Sequence, residues 1–224
     1  MVLMKIIDYD YALIRSKRKT VSLHIDAKGV LSVKAPLKTS LRAIEEIIHS
    51  KRQWIAKVRQ RLENSIQLHF PDVLTEGQML FFLGRQVPIV FWEGKTIELN
   101  EQLLFPSEHQ GPGESAYLKK WYKKQARLIL RDRTQQWAQR MQATYRRVSI
   151  GSARKRWGSC NSLGDIRYSW YLLMLPPYLI DYVVVHELTH IKELNHSPRF
   201  WNETRKILSN AQDLRLELHR YCVQ

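Results

Sequence analysis

The stretch Ile180-Asp181-Tyr182-Val183-Val184-Val185-His186-Glu187-Leu188-Thr189-His190 carries two histidines and a glutamate at the end of an apolar run. The preceding Tyr182-Val183-Val184-Val185 is apolar enough to require burial, so the segment predicts an interior helix, spanning about Tyr178–Leu194. In that helix His186 and His190, four residues apart, stand one turn above the other on one face. Such a pair can bind one tetrahedral ion through two ring nitrogens. Glu187 is turned by about 100° from His186, close enough to reach a water at the ion without competing for coordination. An ion there draws the water's pKa toward neutrality, and the carboxylate takes the proton and returns it to the leaving group. The pattern His-Glu-x-x-His therefore predicts a metal-dependent hydrolase with His186 and His190 as ligands and Glu187 as catalytic base. Two buried histidines beside a buried glutamate, with no ion, would be costly to satisfy.

A third ligand is expected downstream. His196 lies six residues beyond His190, and Asn195 tolerates the left-handed end that would swing it back toward the ion. Ser197-Pro198 then reads as the N-cap and first position of another helix. Glu203 and Glu217 are rival ligands, and Glu203 is alternatively placed to hydrogen-bond and orient a ligand histidine.

Upstream, the pattern predicts an α+β chain. Tyr11–Arg15, Thr20–Asp26 and Val30–Lys34 read as strands, with Ala27-Lys28-Gly29 as a turn. Thr39 or Ser40 caps a helix to about Asn64, striped by Leu41, Ile44, Ile48, Ile55, Val58 and Leu62. Residues 79–105 read as a β meander, and 106–115 (PSEHQGPGES) as a linker. That linker divides an N-terminal α+β region, 1–110, from a metallohydrolase region, 111–224, unless the two form one continuous domain. A long helix, about Ala116–Thr144, follows, its buried side marked by Leu118, Trp121, Leu128, Ile129, Trp137 and Met141. Lys119, Lys120, Lys123, Lys124, Arg127 and Arg131 enrich the other side. With no aromatic residues interleaved there, that face reads as solvated surface before it reads as a nucleic-acid contact. After Arg146–Ile150 and the segment SARKRWGSC, the alternation of Ile166, Tyr168 and Trp170 marks a further strand, stopped by Pro176-Pro177.

Charge bears on partners. Thirty-six Lys and Arg against 21 Asp and Glu give +15, a field that gathers polyanions, nucleic acid among them, without specifying one. No run of 18 apolar residues occurs, which excludes a spanning helix. Asp8 and Asp10 interrupt the start before any stretch of signal-peptide length. Two cysteines, Cys160 and Cys222, are too few for a disulfide framework, so a cytoplasmic protein is expected. Cys160 reads as a small packed residue and not as a ligand or nucleophile. Oligomeric state is left open.

Taken together, RWGSC (156–160), DIRYSWYL (165–172), the stretch from Pro176 through HELTH, and NHSPRFW (195–201) resemble the YgjP-like zinc metallopeptidases, with SprT-like proteases as more distant relatives. The N-terminal IRSKRKTVSLHID, the helix ending in K-x-x-W-I and the later FLGR fit the same family. The resemblance implies a zincin-type C-terminal unit with the His-Glu-x-x-His helix packed on a small sheet, and one zinc ion held by His186, His190 and His196. It also implies that substrate lies along an edge strand, for which the RWGSC–DIRYSW hairpin is the candidate. Arg154, Arg156 and Trp157 would then contact substrate, although Trp157 reads more readily as packing under the helix. The implied reaction is peptide hydrolysis. Nucleoside triphosphate pyrophosphatase activity is the alternative, and a nucleic-acid-associated protease or binding protein the second alternative.

Overall fold

Period-two alternation builds the first of two compact units, Met1–Ile66. Strands β1 (Val2–Ile6), β2 (Tyr9–Ser16), β3 (Ser22–Ile25) and β4 (Leu31–Pro36) form a sheet in the order β1-β2-β4-β3. β2 and β4 run parallel, β3 and β4 antiparallel, and Tyr11, Leu13, Leu31, Val33 and Ala35 turn inward. The computed structural model describes residues 2–6, 9–26 and 29–223, so Ala27 and Lys28 of the expected turn lie outside the described residues.

Ser40 caps α1 (Leu41–Ser50), its hydroxyl accepting from the Ala43 N–H at 3.2 Å. The single helix expected to Asn64 is two, because the chain breaks at Lys51 before α2 (Arg52–Glu63). Ile44, Ile48 and Ile55 cover the sheet. Lys51 and Arg52 fall three and four residues after Ile48, where a continuous helix would turn them toward the core; the break leaves both exposed.

The second unit, Gln67–Gln224, holds every residue of the candidate site. It opens with β5 (Ile66–Leu68), followed by β6 (Met79–Phe82), β7 (Arg85–Trp92), β8 (Glu98–Leu99) and β9 (Leu103–Pro106). The last four are the expected strands, but their order is β6-β7-β9-β8, with β9 parallel to β7 and not a meander. Burial explains the crossover. Leu103 and Phe105 of β9 are fully buried and belong beside Ile89, whereas the two-residue β8 exposes Glu98 and suits an edge.

The segment 106–115 lies inside this unit. Glu114, at the start of α3 (Glu114–Met141), accepts from the Leu74 N–H at 2.6 Å and the Gly111 N–H at 2.8 Å, which ties the loop down. The buried stripe of α3 is Leu118, Tyr122, Ala126, Leu130, Thr134, Ala138 and Met141. Trp121, Ile129 and Trp137 are only half-buried and Leu128 is 59% exposed, contrary to the stripe expected from side-chain size. Small residues at 126, 134 and 138 let α3 lie close against its neighbours, so the packing face includes positions that look weakly apolar in sequence.

Strands β10 (Arg147–Gly151), β11 (Gly158–Cys160) and β12 (Asp165–Ser169) form a sheet in the order β10-β12-β11. β12 gives way at Trp170 to a buried 3-10 turn, Trp170–Met174, whose Trp170 ring lies 4.9 Å from Phe70 and 5.5 Å from Tyr122. Next come α4 (Pro177–Thr189), α5 (Pro198–Ile207), α6 (Ala211–Leu218) and β13 (Tyr221–Val223), the last paired with β5. Arg133 of α3 joins Asp181 of α4 at 2.6 Å. The chain is α+β, and among the described residues no helix is long and apolar enough to cross a membrane.

The start of β12 is held by charge. Asp165 accepts from Arg146 and lies 3.2 Å from Arg147. The Arg146 hydrogen bond comes first among the causes that push its carboxyl down to about 2. A depressed carboxyl contributes stability that is present above its unfolded value near 3.8 and lost as pH falls toward 2. Acid unfolding followed by circular dichroism should show a shallower loss over that window in Asp165→Asn than in the wild type.

Candidate active site

From Leu179 to Val185 α4 is apolar and buried except at Asp181, whose charge Arg133 meets, so it sits in the core and carries Glu187 with it, 5% exposed. The helix closes at Thr189 with His190 as its cap, five residues before the expected end at Leu194. The Ile191 and Lys192 N–H groups switch to three-residue bonds with the Leu188 and Thr189 carbonyls, which tightens and ends the last turn. Asn195 is not left-handed, since Leu83 and Gln142 are the non-glycine residues with positive φ among those described. The reversal comes from short turns, and Ser197 then caps α5 by accepting from the Phe200 N–H at 3.3 Å, as expected.

That reversal brings His196 back over α4. Ring nitrogens of His186, His190 and His196 all lie within 4.8 Å of one another. The Nε2 atoms of His186 and His196 face each other at 2.9 Å. His190 Nδ1 meets the Glu193 carbonyl at 3.0 Å, which assigns its proton and frees Nε2. Fully buried Phe200 supports all three rings at 4.9, 4.6 and 4.8 Å. Two nitrogens on one tetrahedral ion at the usual bond length stand roughly 3.3 Å apart, so the separations fit a single small ion. Burial, and then His190, His196 and Arg215, push the His186 imidazole down to about 3, which keeps it neutral and able to donate a lone pair.

Glu187 lies beside this cluster in a cleft of ≈270 Å³ lined by Trp157, Gly158, Tyr182, His186, His196 and Arg215. Burial pushes its carboxyl up to about 8, with Arg156 pulling the other way. Its Oε2 is buried with no hydrogen-bond partner, and such an oxygen calls for a proton or a water. The other oxygen lies over Gly158. A Cβ there would stand 2.5 Å from Oε1 and 2.8 Å from Cγ, so only glycine lets the carboxylate rest where it does.

The other residues singled out in the sequence separate clearly. Trp157 is half-buried and lines the cleft beside Tyr182 and Val183 of α4. Arg156 lines an adjoining cavity of ≈180 Å³, together with Gly158 and Arg167. Arg154 is exposed and lines neither. Glu203 does not join the histidines; it bonds Lys206 and lines a different cleft. Glu217 accepts from the Tyr178 hydroxyl. Cys160 is half-buried and outside the cluster, with burial pushing its thiol up to about 11, away from the reactive thiolate. Sequence reasoning missed Phe200, Gly158 and Arg215 as site residues. Phe200 is the one with a signal, three residues into the helix that Ser197 caps.

A family model described as YgjP-like, metallopeptidase domain, matches residues 19–221. The chain belongs to the YgjP-like metallopeptidases. It is also similar, over 40% of its length, to the crystal structure of the jannalysin metallopeptidase zymogen of Methanocaldococcus jannaschii, at 21% identity and a TM-score of 0.36, covering 92% of that chain. The abylysin zymogen of Pyrococcus abyssi matches over the same share at 23% identity, TM-score 0.36, covering 90% of its chain. No curated protein sequence matches. A metallopeptidase needs a metal ion, and in this YgjP-like chain the three histidines form a group that could hold one.

Gly158→Ala tests the placement of Glu187. The added methyl turns the carboxylate aside while leaving the histidines in place. Peptidase activity should fall by roughly 100-fold, the effect of about 1 Å of misplacement, with metal content by mass spectrometry unchanged.

Proposed function

We propose that this metallopeptidase is a zinc enzyme in which His186, His190 and His196 hold one ion and Glu187 is the general base. The observation that carries the reading is the convergence of three neutral-capable imidazoles beside a buried carboxylate oxygen that has no protein partner. Three nitrogen ligands leave a fourth tetrahedral position open, the catalytic and not the structural arrangement. When bound, zinc supplies Lewis acidity, which makes water nucleophilic near neutral pH and polarises a carbonyl.

The chain's own residues do the rest. Glu187 accepts the proton from the attacking water and holds it for the leaving amine. Gly158 fixes the carboxylate's position, and Phe200 fixes the three rings. β11 is an edge strand that packs against α4, with no strand on its outer side among the described residues. A peptide can therefore add to that edge through main-chain hydrogen bonds, which would lay its backbone alongside Gly158–Cys160, with Trp157 against a side chain. Arg156, whose charge acts on Glu187, is retained as a substrate contact. The free thiols Cys160 and Cys222 suit a reducing compartment, and we assign the protein to the cytoplasm.

Glu187→Gln should retain zinc and lose casein or peptide cleavage by roughly 100- to 10,000-fold; unchanged cleavage would overturn the assignment. His196→Ala should empty the metal site, whereas Glu203→Gln should leave it full. If only Glu203→Gln loses metal, the third ligand is misassigned.

A second reading, hydrolysis of nucleoside triphosphates at the same centre, is favoured by one feature. Arg156 and Arg167 line a cavity that shares Gly158 with the Glu187 cleft, and guanidinium pairs suit phosphate oxygens. Pyrophosphate release from each triphosphate, above the Glu187→Gln background, decides for it or against it.

A further inference from the structure

A cleft larger than the one beside Glu187 lies elsewhere in the second unit. It encloses ≈640 Å³ between α3 and the β8 region, lined by Ile97, Tyr117, Trp121, Lys120, Lys124 and Arg127, with Lys123 and Gln125 beside them. No lining residue is acidic. Among the described residues none of the four cations pairs with a carboxylate.

The cleft exists because α3 buries Tyr122 and not Trp121. Trp121 is left half-buried, its ring leaning on Phe82 at 5.4 Å, and it shares the basic face of the helix. Tyr117, Lys120, Trp121 and Lys124 follow the spacing i, i+3, i+4, i+7, so aromatic and cationic side chains alternate along one side. This is the interleaving that the sequence pattern had placed on the opposite face. Lys120 to Arg127 covers about 10 Å of helix axis, longer than a single phosphate group. The cations therefore suit successive phosphates of a strand better than one nucleotide.

We propose that this cleft binds single-stranded nucleic acid, with a base against Trp121 and the backbone phosphates on Lys120, Lys124 and Arg127. An aromatic floor under a basic rim is the arrangement that binds unpaired strands with little sequence preference, since every base offers a face to stack. A duplex keeps its bases stacked inside and cannot use Trp121. The net charge of +15 adds attraction at longer range but does not favour a single strand over other polyanions.

The test is fluorescence anisotropy of the full chain with a labelled oligothymidylate of about 15 nucleotides, comparable to known single-strand site sizes, titrated over a range of salt. Lys120→Ala/Lys124→Ala should lower the slope of log affinity against log salt by about 1.4, at roughly 0.7 per phosphate contact. Trp121→Ala should weaken binding on the order of 10- to 100-fold with the slope unchanged. Should Trp121→Ala unfold, the lysine variant decides alone, because both lysines are exposed. Peptidase activity on casein is expected to be untouched by the lysine pair. No binding at low salt, equal affinity for duplex or polyglutamate, or an unchanged slope in the lysine variant would each overturn the proposal.

Discussion

A helix that is apolar at nearly every position has nowhere to go but the core, and α4 from Leu179 to Val185 is such a helix, its one charge, Asp181, met by Arg133. Everything around the candidate site follows from seating it. α3 approaches through a stripe that includes Ala126, Thr134 and Ala138, the small sheet offers β11, and α5 closes over the end with Phe200. The last turn of α4 delivers His186, Glu187 and His190 into this packing. Polar atoms there can be satisfied only by one another or by something small that enters. The unpartnered Oε2 of Glu187 and Nδ1 of His186 show that the protein alone does not satisfy them.

The candidate site residues were legible because helical periodicity fixes where they point. Two histidines four apart face the same way whatever surrounds the helix, and a serine-proline pair starts the next helix by local rules. His196 was legible for its spacing, though the route back is not the left-handed turn expected at Asn195. What the sequence could not reveal depends on a neighbour far along the chain. Gly158 reads as a permissive turn residue until Glu187, 29 positions later, is found resting on it. Arg215 comes from α6, and no local pattern marks it as facing the cleft.

Ranking positions by apolar size put Trp121 and Leu128 inside α3, yet close helix packing favours small side chains over large ones. Four successive strands suggest a meander, but the burial of Leu103 and Phe105 beside Ile89 places β9 next to β7, with β8 outside it. Lys51 breaks the helix expected to run to Asn64, because a charge three residues after Ile48 cannot face the core.

The misreading of α3 has a chemical consequence. With Tyr122 inside, Trp121 is displaced onto the lysine face, and a surface that seemed merely solvated gains an aromatic floor. The cleft and the candidate metal site sit in one unit and would draw on different chemistry: one on charge and stacking, the other on nitrogen donors and a protected carboxylate. A peptidase that held nucleic acid at the first would meet proteins bound to the same strand at raised local concentration. That gain is one of effective concentration, arising from tethering and not from any new contact at the scissile bond.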